Sequence, residues 1–335
     1  MRVLAGDIGG TKTRLAVFDV QGTHLETVTE RSYSSSSYSG LEDIVRNFLD
    51  GDSTGCRQAC FGIAGPVLRG RAQATNLPWI VEEKAMAAFF GFERVVLIND
   101  LEANAWGIGA LRENDFYPLN AGGPDAEGNA CIISAGTGLG EAGLYWDGQR
   151  HWPFACEGGH ANFSPSSDLE IALLKYLRER FGHVSWERVV SGMGLVNVHD
   201  FLCTHRGVPA PSWLREEMSA GDPAAAISKA AMDDRDPLCA EALDLSVYLY
   251  GVEAGNLALN IMATGGVYLG GGIGPKNLER LKSPLFMQGF LDKGRMRPLL
   301  EAMPVKVILN DRTALYGPAL YLEVVKEGTT GGSDG

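Results

Sequence analysis

The chain has 335 residues, 45% of them hydrophobic, with 29 basic against 41 acidic residues and a net charge of −12 at pH 7. That length and apolar content can fill two cores of ordinary size, so two domains are expected. The acidic balance, without any run of Lys or Arg able to track a phosphate backbone, excludes nucleic acid as a partner.

Met1 leads straight into an apolar strand with no signal-peptide pattern, so a cytoplasmic protein is expected. The strand VLAGDIG pairs with TRLAVFDV around a Gly-Gly-Thr turn, HLETVTERSY adds a third strand, and LEDIVRNFLD has helical spacing. The serine run SYSSSSYSG at 32–40 reads as a mobile loop without chemistry. Next come the strand ACFGIAG, a helix in VEEKAMAAFFGF, the buried strand RVVLIND and a helix from about Leu101 to Leu111. The segment ENDFYPLNAGGPDAEGN, rich in Gly, Pro and Asn, reads as a connection and places a domain boundary near 111. The second half opens like the first, with strand ACIISAG, turn TGLG and strand EAGLYWDG; the repeat suggests a duplication whose two turns face one another across a cleft. The pattern from Ser167 to Gly265 is mainly helical. Its longest stretch, about 237–264, carries Glu241, Asp244, Glu253, Asn256 and Asn260, too polar for a lipid-facing span, so no membrane segment is expected. A strand and glycine run in VYLGGGIGPKN, the strand VKVILN and the helix TALYGPALYLEVV close the chain, and the tail 328–335 reads as disordered.

Six cysteines, Cys56, Cys60, Cys131, Cys156, Cys203 and Cys239, form no C-x-x-C pair of the kind that chelates zinc or exchanges thiols, and all are read as reduced. Three glycine turns stand at strand ends: Gly9-Gly10-Thr11, Gly136-Thr137-Gly138 and Gly270-Gly271-Gly272. Glycines let a backbone approach a ligand and aim N–H groups at phosphate oxygens, so a nucleotide is their natural common ligand. No G-x-x-x-x-G-K-[ST] loop occurs. A formal G-x-G-x-x-G at Gly138, Gly140 and Gly143 is rejected, because the β-prone EAGLYWDGQ follows where a dinucleotide fold needs a helix. Asn99 with Glu102 three residues on is a helix-start signal, and it leaves Asp100 at the end of a buried strand.

The ordered set DIGGTKTRLAVFD, FGIAGPV, ATNLPW, LINDLEANAWGI, SAGTGLGEAGL, EGGH and GGVYLGGGI resembles the bacterial glucokinase family of the hexokinase and actin superfamily, over roughly residues 3–325. The resemblance implies an α/β, two-domain actin-like ATPase fold of the ribonuclease H-like kind with an interdomain cleft. Residues 1–110 plus about 311–327 form the small domain and 111–310 the larger. It implies ATP-dependent phosphorylation of D-glucose at the 6-hydroxyl, in a homodimer, with a kinase for another hexose or an N-acetylated amino sugar as the alternative. By family position Asp7 holds Mg²⁺ through water. Gly6, Asp7, Ile8, Gly9, Gly10 and Thr11 line the phosphates, Gly136, Thr137 and Gly138 form the second clamp, and Gly270, Gly271, Gly272 and Ile273 border the adenosine. Asp100 is the expected base and a sugar ligand, with Asn99, Gly138, Glu157, His160 and Glu187 completing the sugar site; Glu187 rests on the resemblance alone. Relatives bind zinc with such a histidine and a cysteine-rich motif that this chain lacks, so no structural zinc is expected. Sugar-responsive repressors share the core, but a DNA-binding module before the first strand is not expected here.

Overall fold

The computed structural model describes residues 1–49, 55–74 and 77–325. The tail 328–335, read from the sequence as disordered, lies outside the described residues. The described chain forms two compact units, one of Met1–Asp115, Trp152–Ala155 and the described residues from Asn310 to Val325, the other of Phe116–His151 and Cys156–Leu309.

In the first unit, β1 (Arg2–Ile8), β2 (Lys12–Gln21), β3 (His24–Ser34) and β4 (Gln58–Ile63) are followed by a small sheet of β5 (Val67–Leu68), β6 (Arg71–Gln73) and β7 (Ile80–Glu82), then by β8 (Arg94–Asn99). The main sheet runs β3-β2-β1-β4-β8, antiparallel through β1 and parallel from β1 to β8. Strand side chains alternate between faces, and here both faces are covered, which explains the nearly unbroken apolar runs of β1 and β4. Leu4, Ile8, Leu15, Val17, Phe61 and Ile63 pack with helix Leu41–Leu49. Val3, Ala5, Ala16, Phe18 and Cys60 pack with helix Asp100–Gly107 and the closing helix Thr313–Val324. Those two helices touch closely: a Cβ at Gly317 would overlap the Ala103 carbonyl oxygen, and one at Gly107 the Thr313 oxygen.

The second unit repeats this pattern. Its strands are β9 (Phe116–Asn120), β10 (Ala130–Ala135), β11 (Leu139–Trp146), β12 (His151–Cys156), β13 (Gly266–Gly270) and β14 (Val305–Ile308); the middle of β12 groups with the first unit. The order β11-β10-β13-β14, one antiparallel pair followed by two parallel ones, matches β2-β1-β4-β8. Because Leu139–Trp146 is a strand, the glycines at 138, 140 and 143 open no helix. The long helix Pro237–Ile261, started by Asp236 accepting from the Cys239 N–H, is buried along much of its length by helices Gly192–Arg206, Pro223–Met232 and Pro284–Leu291. Among the described residues no helix is long and apolar enough to cross a membrane.

Two local readings are corrected. The supposed connection 113–129 contains β9, which pairs antiparallel with β14 far along the chain, a partner that no local composition announces. The serine run is not a free loop: Ser35 is fully buried, and its contacts belong to the site described next.

Candidate active site

In the first unit β1, β4 and β8 end in one register row, Ile8 beside Ile63 beside Asn99. The segments that follow therefore open on one sheet edge: the Gly9-Gly10-Thr11 turn, Ala64-Gly65, and Asp100. Asn99 caps helix Asp100–Gly107, its Oδ1 accepting from the Leu101 N–H at 2.8 Å and the Glu102 N–H at 3.4 Å, while its Nδ2 donates to the Gly65 carbonyl at 3.1 Å. Both ends of the amide are thus held, which fixes the first helical residue, Asp100. Asp100 Oδ1 accepts from the Leu101 N–H at 3.0 Å, at the helix end that favours negative charge.

The first glycine turn is tied from below. Gly9 N–H donates to the Lys12 carbonyl at 3.0 Å, Ser35 N–H donates to the Thr11 carbonyl at 3.0 Å, and Ser35 Oγ donates to the Gly9 carbonyl at 2.7 Å. Ser35 Oγ also meets the buried Thr13 Oγ1 at 3.0 Å. Ser35 is a site-shaping residue that the sequence reading missed, because four consecutive serines carry no hydrophobic period. Gly6 and Ile8 are buried inside β1, and a Cβ at Gly6 would lie 2.6 Å from the Phe61 ring. Half-buried Asp7 stands between them, and loss of hydration pushes its carboxyl up to about 6 against the pull of Arg14 and Lys12. A carboxylate held uncomfortably charged at the mouth of a glycine turn suits a hydrated cation.

In the second unit several expected residues gather around the start of β11. Gly136 N–H donates to the Gly138 carbonyl and Gly192 N–H to the Gly136 carbonyl, both at 2.8 Å. Glu187, in a short 3-10 turn, accepts the Leu139 N–H on Oε2 at 3.0 Å, and a Cβ at Gly138 would overlap that carboxylate. The turn Gly158–His160 sits against the same strand, since a Cβ at Gly159 would overlap the Leu139 carbonyl oxygen. Trp186 N–H donates to the Ala161 carbonyl at 3.0 Å, joining the two turns. Glu157 and His160 expose their side chains with Nε2 and Oε2 3.9 Å apart. The unit thus brings Gly138, Glu157, His160 and Glu187 together. At the end of β13, Gly271 has φ +77° and a Cβ there would overlap the Ala135 oxygen, so only glycine fits. The next helical residue, Ile273, borders a cavity of about 300 Å³ lined also by Ala135, Ser191, Ser228, Tyr250 and Asn277.

The glucokinase family model matches residues 4–325. The chain belongs to the glucokinase family. The glucokinase of Nostoc punctiforme is 42% identical over 335 residues, covering 95% of this chain and 98% of that protein. The solved glucokinase from an Antarctic psychrotroph is 30% identical, with a TM-score of 0.85 over 97% of this chain and 99% of its own. A ROK family glucokinase from Streptomyces griseus, solved in complex with glucose and AMPPNP, shares the fold at a TM-score of 0.65 and 22% identity, over 98% of this chain. The fold is the α/β sugar-kinase fold of the actin-like ATPases.

Beneath the EGGH turn of this glucokinase-family chain lies a pair that the sequence reading did not single out. Glu141 of β11 and Glu253 of helix Pro237–Ile261 are 2% and 5% exposed and stand against one another, an arrangement that favours a proton on one of the two carboxyls. Burial pushes both well above the ordinary carboxylate range, and the charge of Glu141 adds to the push on Glu253. Asn256 Nδ2 donates to Glu253 at 2.9 Å, and a Cβ at Gly158 would overlap Glu141 Oε2, so the pair forms the floor of the turn. In the sequence Glu253 looks like one more polar residue on a long helix.

Proposed function

We propose that this chain phosphorylates the 6-hydroxyl of D-glucose with ATP, giving glucose 6-phosphate and ADP, and so opens glycolysis. The observation that carries the reading is the common strand-end edge of the first unit, where a glycine turn, an acid beneath it and a helix-start aspartate stand side by side. Close likeness over almost the whole chain to proteins named glucokinase supports the same reaction.

Asp100 accepts the proton of the 6-hydroxyl as the phosphoryl group arrives, a role suited to a carboxylate whose backbone is fixed by the Asn99 cap. Asn99 itself keeps one amide hydrogen beyond its structural bonds, enough to donate to a sugar hydroxyl. In the second unit Gly138, Glu157, His160 and Glu187 orient the remaining hydroxyls. The turn residues Gly9 to Thr11 and Gly136 to Gly138 cradle the phosphates, with Gly6 and Ile8 supporting the first turn from inside β1. The Gly270–Ile273 segment borders the adenosine, and the 300 Å³ cavity beside Ile273 is of a size for a purine. Asp7 fits a water-mediated Mg²⁺ site. When bound, Mg²⁺ supplies charge neutralisation at the phosphates. A homodimer working in the cytoplasm completes the reading. Light scattering on the eluting peak of a sizing column tests the dimer.

The deciding experiment measures ADP release with Mg-ATP and, separately, glucose, mannose, fructose, N-acetylglucosamine, N-acetylmannosamine or no sugar. A strong signal with glucose supports the proposal. Preference for another sugar would overturn the hydroxyl assignments and keep the base, and sugar-independent hydrolysis would overturn the kinase reading.

A further inference from the structure

Away from these residues, two helices of the second unit converge on a group of soft and borderline donors. Helix Gly192–Arg206 presents His199 and Cys203, four residues apart and so on one face, and the start of helix Pro237–Ile261 presents Asp236 and Cys239. The ligand atoms of His199, Asp236 and Cys239 all lie within 4.8 Å of one another, and Cys203 Sγ lies 3.7 Å from His199 Nε2. This set shares no residue with the His160 region for which the sequence excluded a cysteine-rich zinc motif. No C-x-x-C spacing announces it, because its halves come from separate helices.

Packing alone leaves part of this arrangement unexplained. His199 is 1% exposed, and its Nδ1 has no hydrogen-bond partner, with Asp200 Oδ1 standing off at 4.0 Å. A buried imidazole with an unmet nitrogen is costly, and a pair of thiols around it offers little relief. Metal-ligating histidines characteristically use one nitrogen for the ion and donate from the other to a carboxylate; here Nε2 faces the Cys203 sulfur, and Nδ1 faces Asp200 on the opposite side of the ring from beyond hydrogen-bond distance. Asp200 is itself held by Arg180 at 3.4 Å. Cys239 and His199 are buried while Cys203 and Asp236 are half-buried, which leaves a way in from solvent.

We propose that His199, Cys203, Asp236 and Cys239 form a site for a divalent transition ion of the zinc class, clamping helix Gly192–Arg206 to the start of helix Pro237–Ile261. Two sulfurs, one imidazole and one carboxylate are the donors of a tetrahedral closed site, and sulfur disfavours Mg²⁺ and Ca²⁺. Two thiol protons leave to solvent as the ion enters, so the bound sulfurs are thiolates.

Full-length protein stripped with a chelator is titrated with Co²⁺ alone, then with Zn²⁺. The expected result is a near-ultraviolet sulfur-to-cobalt band with the strong visible bands of tetrahedral cobalt, bleached by Zn²⁺. Competition with a chromophoric chelator should show Zn²⁺ binding weakened at least about 100-fold in Cys203→Ser and in Asp236→Asn, beyond the usual effect of losing an outer partner. Asp236→Asn keeps a good helix cap, and metal-free circular dichroism verifies that both variants fold. Zn²⁺ should raise the melting temperature of the wild type and leave Cys203→Ser unchanged. Absence of the sulfur-to-cobalt band in the wild type, or wild-type Zn²⁺ affinity in both folded variants, would overturn the site.

Discussion

Single residues carry the proposed chemistry, and their backbone settings decide how well. Asp100 sits at the first position of a helix whose cap, Asn99, is held at both ends of its amide, so the carboxylate can be changed without moving the chain. Asp100→Asn should therefore bind glucose almost as the wild type does and lose at least about 10²-fold in kcat, the lower end of what a general base contributes. Steady-state kinetics with a glucose-binding measurement check this; turnover near the wild type would remove Asp100 from the role of base. Ser35 acts differently. It touches the Gly9–Thr11 turn through two hydrogen bonds and Thr13 of β2 through a third while lying fully buried beneath the turn, so it is a positioning residue. Ser35→Ala leaves the Gly9 carbonyl and Thr13 hydroxyl without their partner, a cost of about 1–3 kcal/mol per unsatisfied buried group. The expected outcome is a several-fold rise in KM for ATP with KM for glucose unchanged, and equal rises for both substrates would mean only general destabilisation. Asn99 was legible at this scale because capping chemistry is local. Ser35 and Glu187 were not, because Ser35 answers to a turn 26 residues away and Glu187 to a strand start 48 residues away.

Elements supply what residues cannot, a floor under the site. The Glu141–Glu253 pair joins β11 to the long helix directly below Gly158. Around it stand Cys131 of β10, Cys156 at the end of β12, Glu157 above, Tyr250 on the helix, and Lys293, whose ammonium burial weakens and whose charge pulls on Glu253. Both carboxyls titrate higher in the folded chain than the roughly 4.3 of an unfolded glutamate, so the folded state holds protons that the unfolded state has released. Stability from the shared proton is complete below that value and is lost as pH rises towards about 8, where Glu253 ionises beside its partner. Each group can contribute a slope of up to about 1.4 kcal/mol per pH unit. The melting temperature should fall from pH 6 to 9, and Glu253→Gln should flatten that fall because the amide donates to Glu141 without a proton to lose. An unchanged slope in the variant would show that the pair does not share a proton. Single helices and hairpins were readable because their apolar periods are local, whereas this pairing joins positions 112 apart and no period marks it.

At the scale of the molecule the chain runs out and back: the first unit is begun by residues 1–115 and finished only after Asn310, with most of the second unit inserted between. The duplication was legible because each half opens with a strand, a glycine turn and a second strand, and the buried parallel strands leave long apolar runs; the order in which the strands pair was not read. The two- and three-residue strands β5 to β7 and the edge strand β9 were not legible, since so short a segment has no period and its partner sets its conformation. The closing helix Thr313–Val324 is the test of this architecture. Leu315, Ala319 and Leu322 on it are at most 1% exposed, against Val3, Ala5, Ala16, Phe18 and Cys60 of the sheet, and Leu320, 3% exposed, lies on the Gly109 side. Burying each leucine is worth about 1.5–3 kcal/mol, so the helix supplies stabilisation comparable with the roughly 5–15 kcal/mol by which a whole domain stays folded. A chain ending at Asn310 should therefore lose kinase activity, and limited proteolysis read by mass spectrometry should cut residues 1–115 well before 116–309. Equal resistance of both regions in the shortened chain would mean that the first unit is complete without the helix, and that the nearly full burial of its sheet on that face matters far less than its area implies.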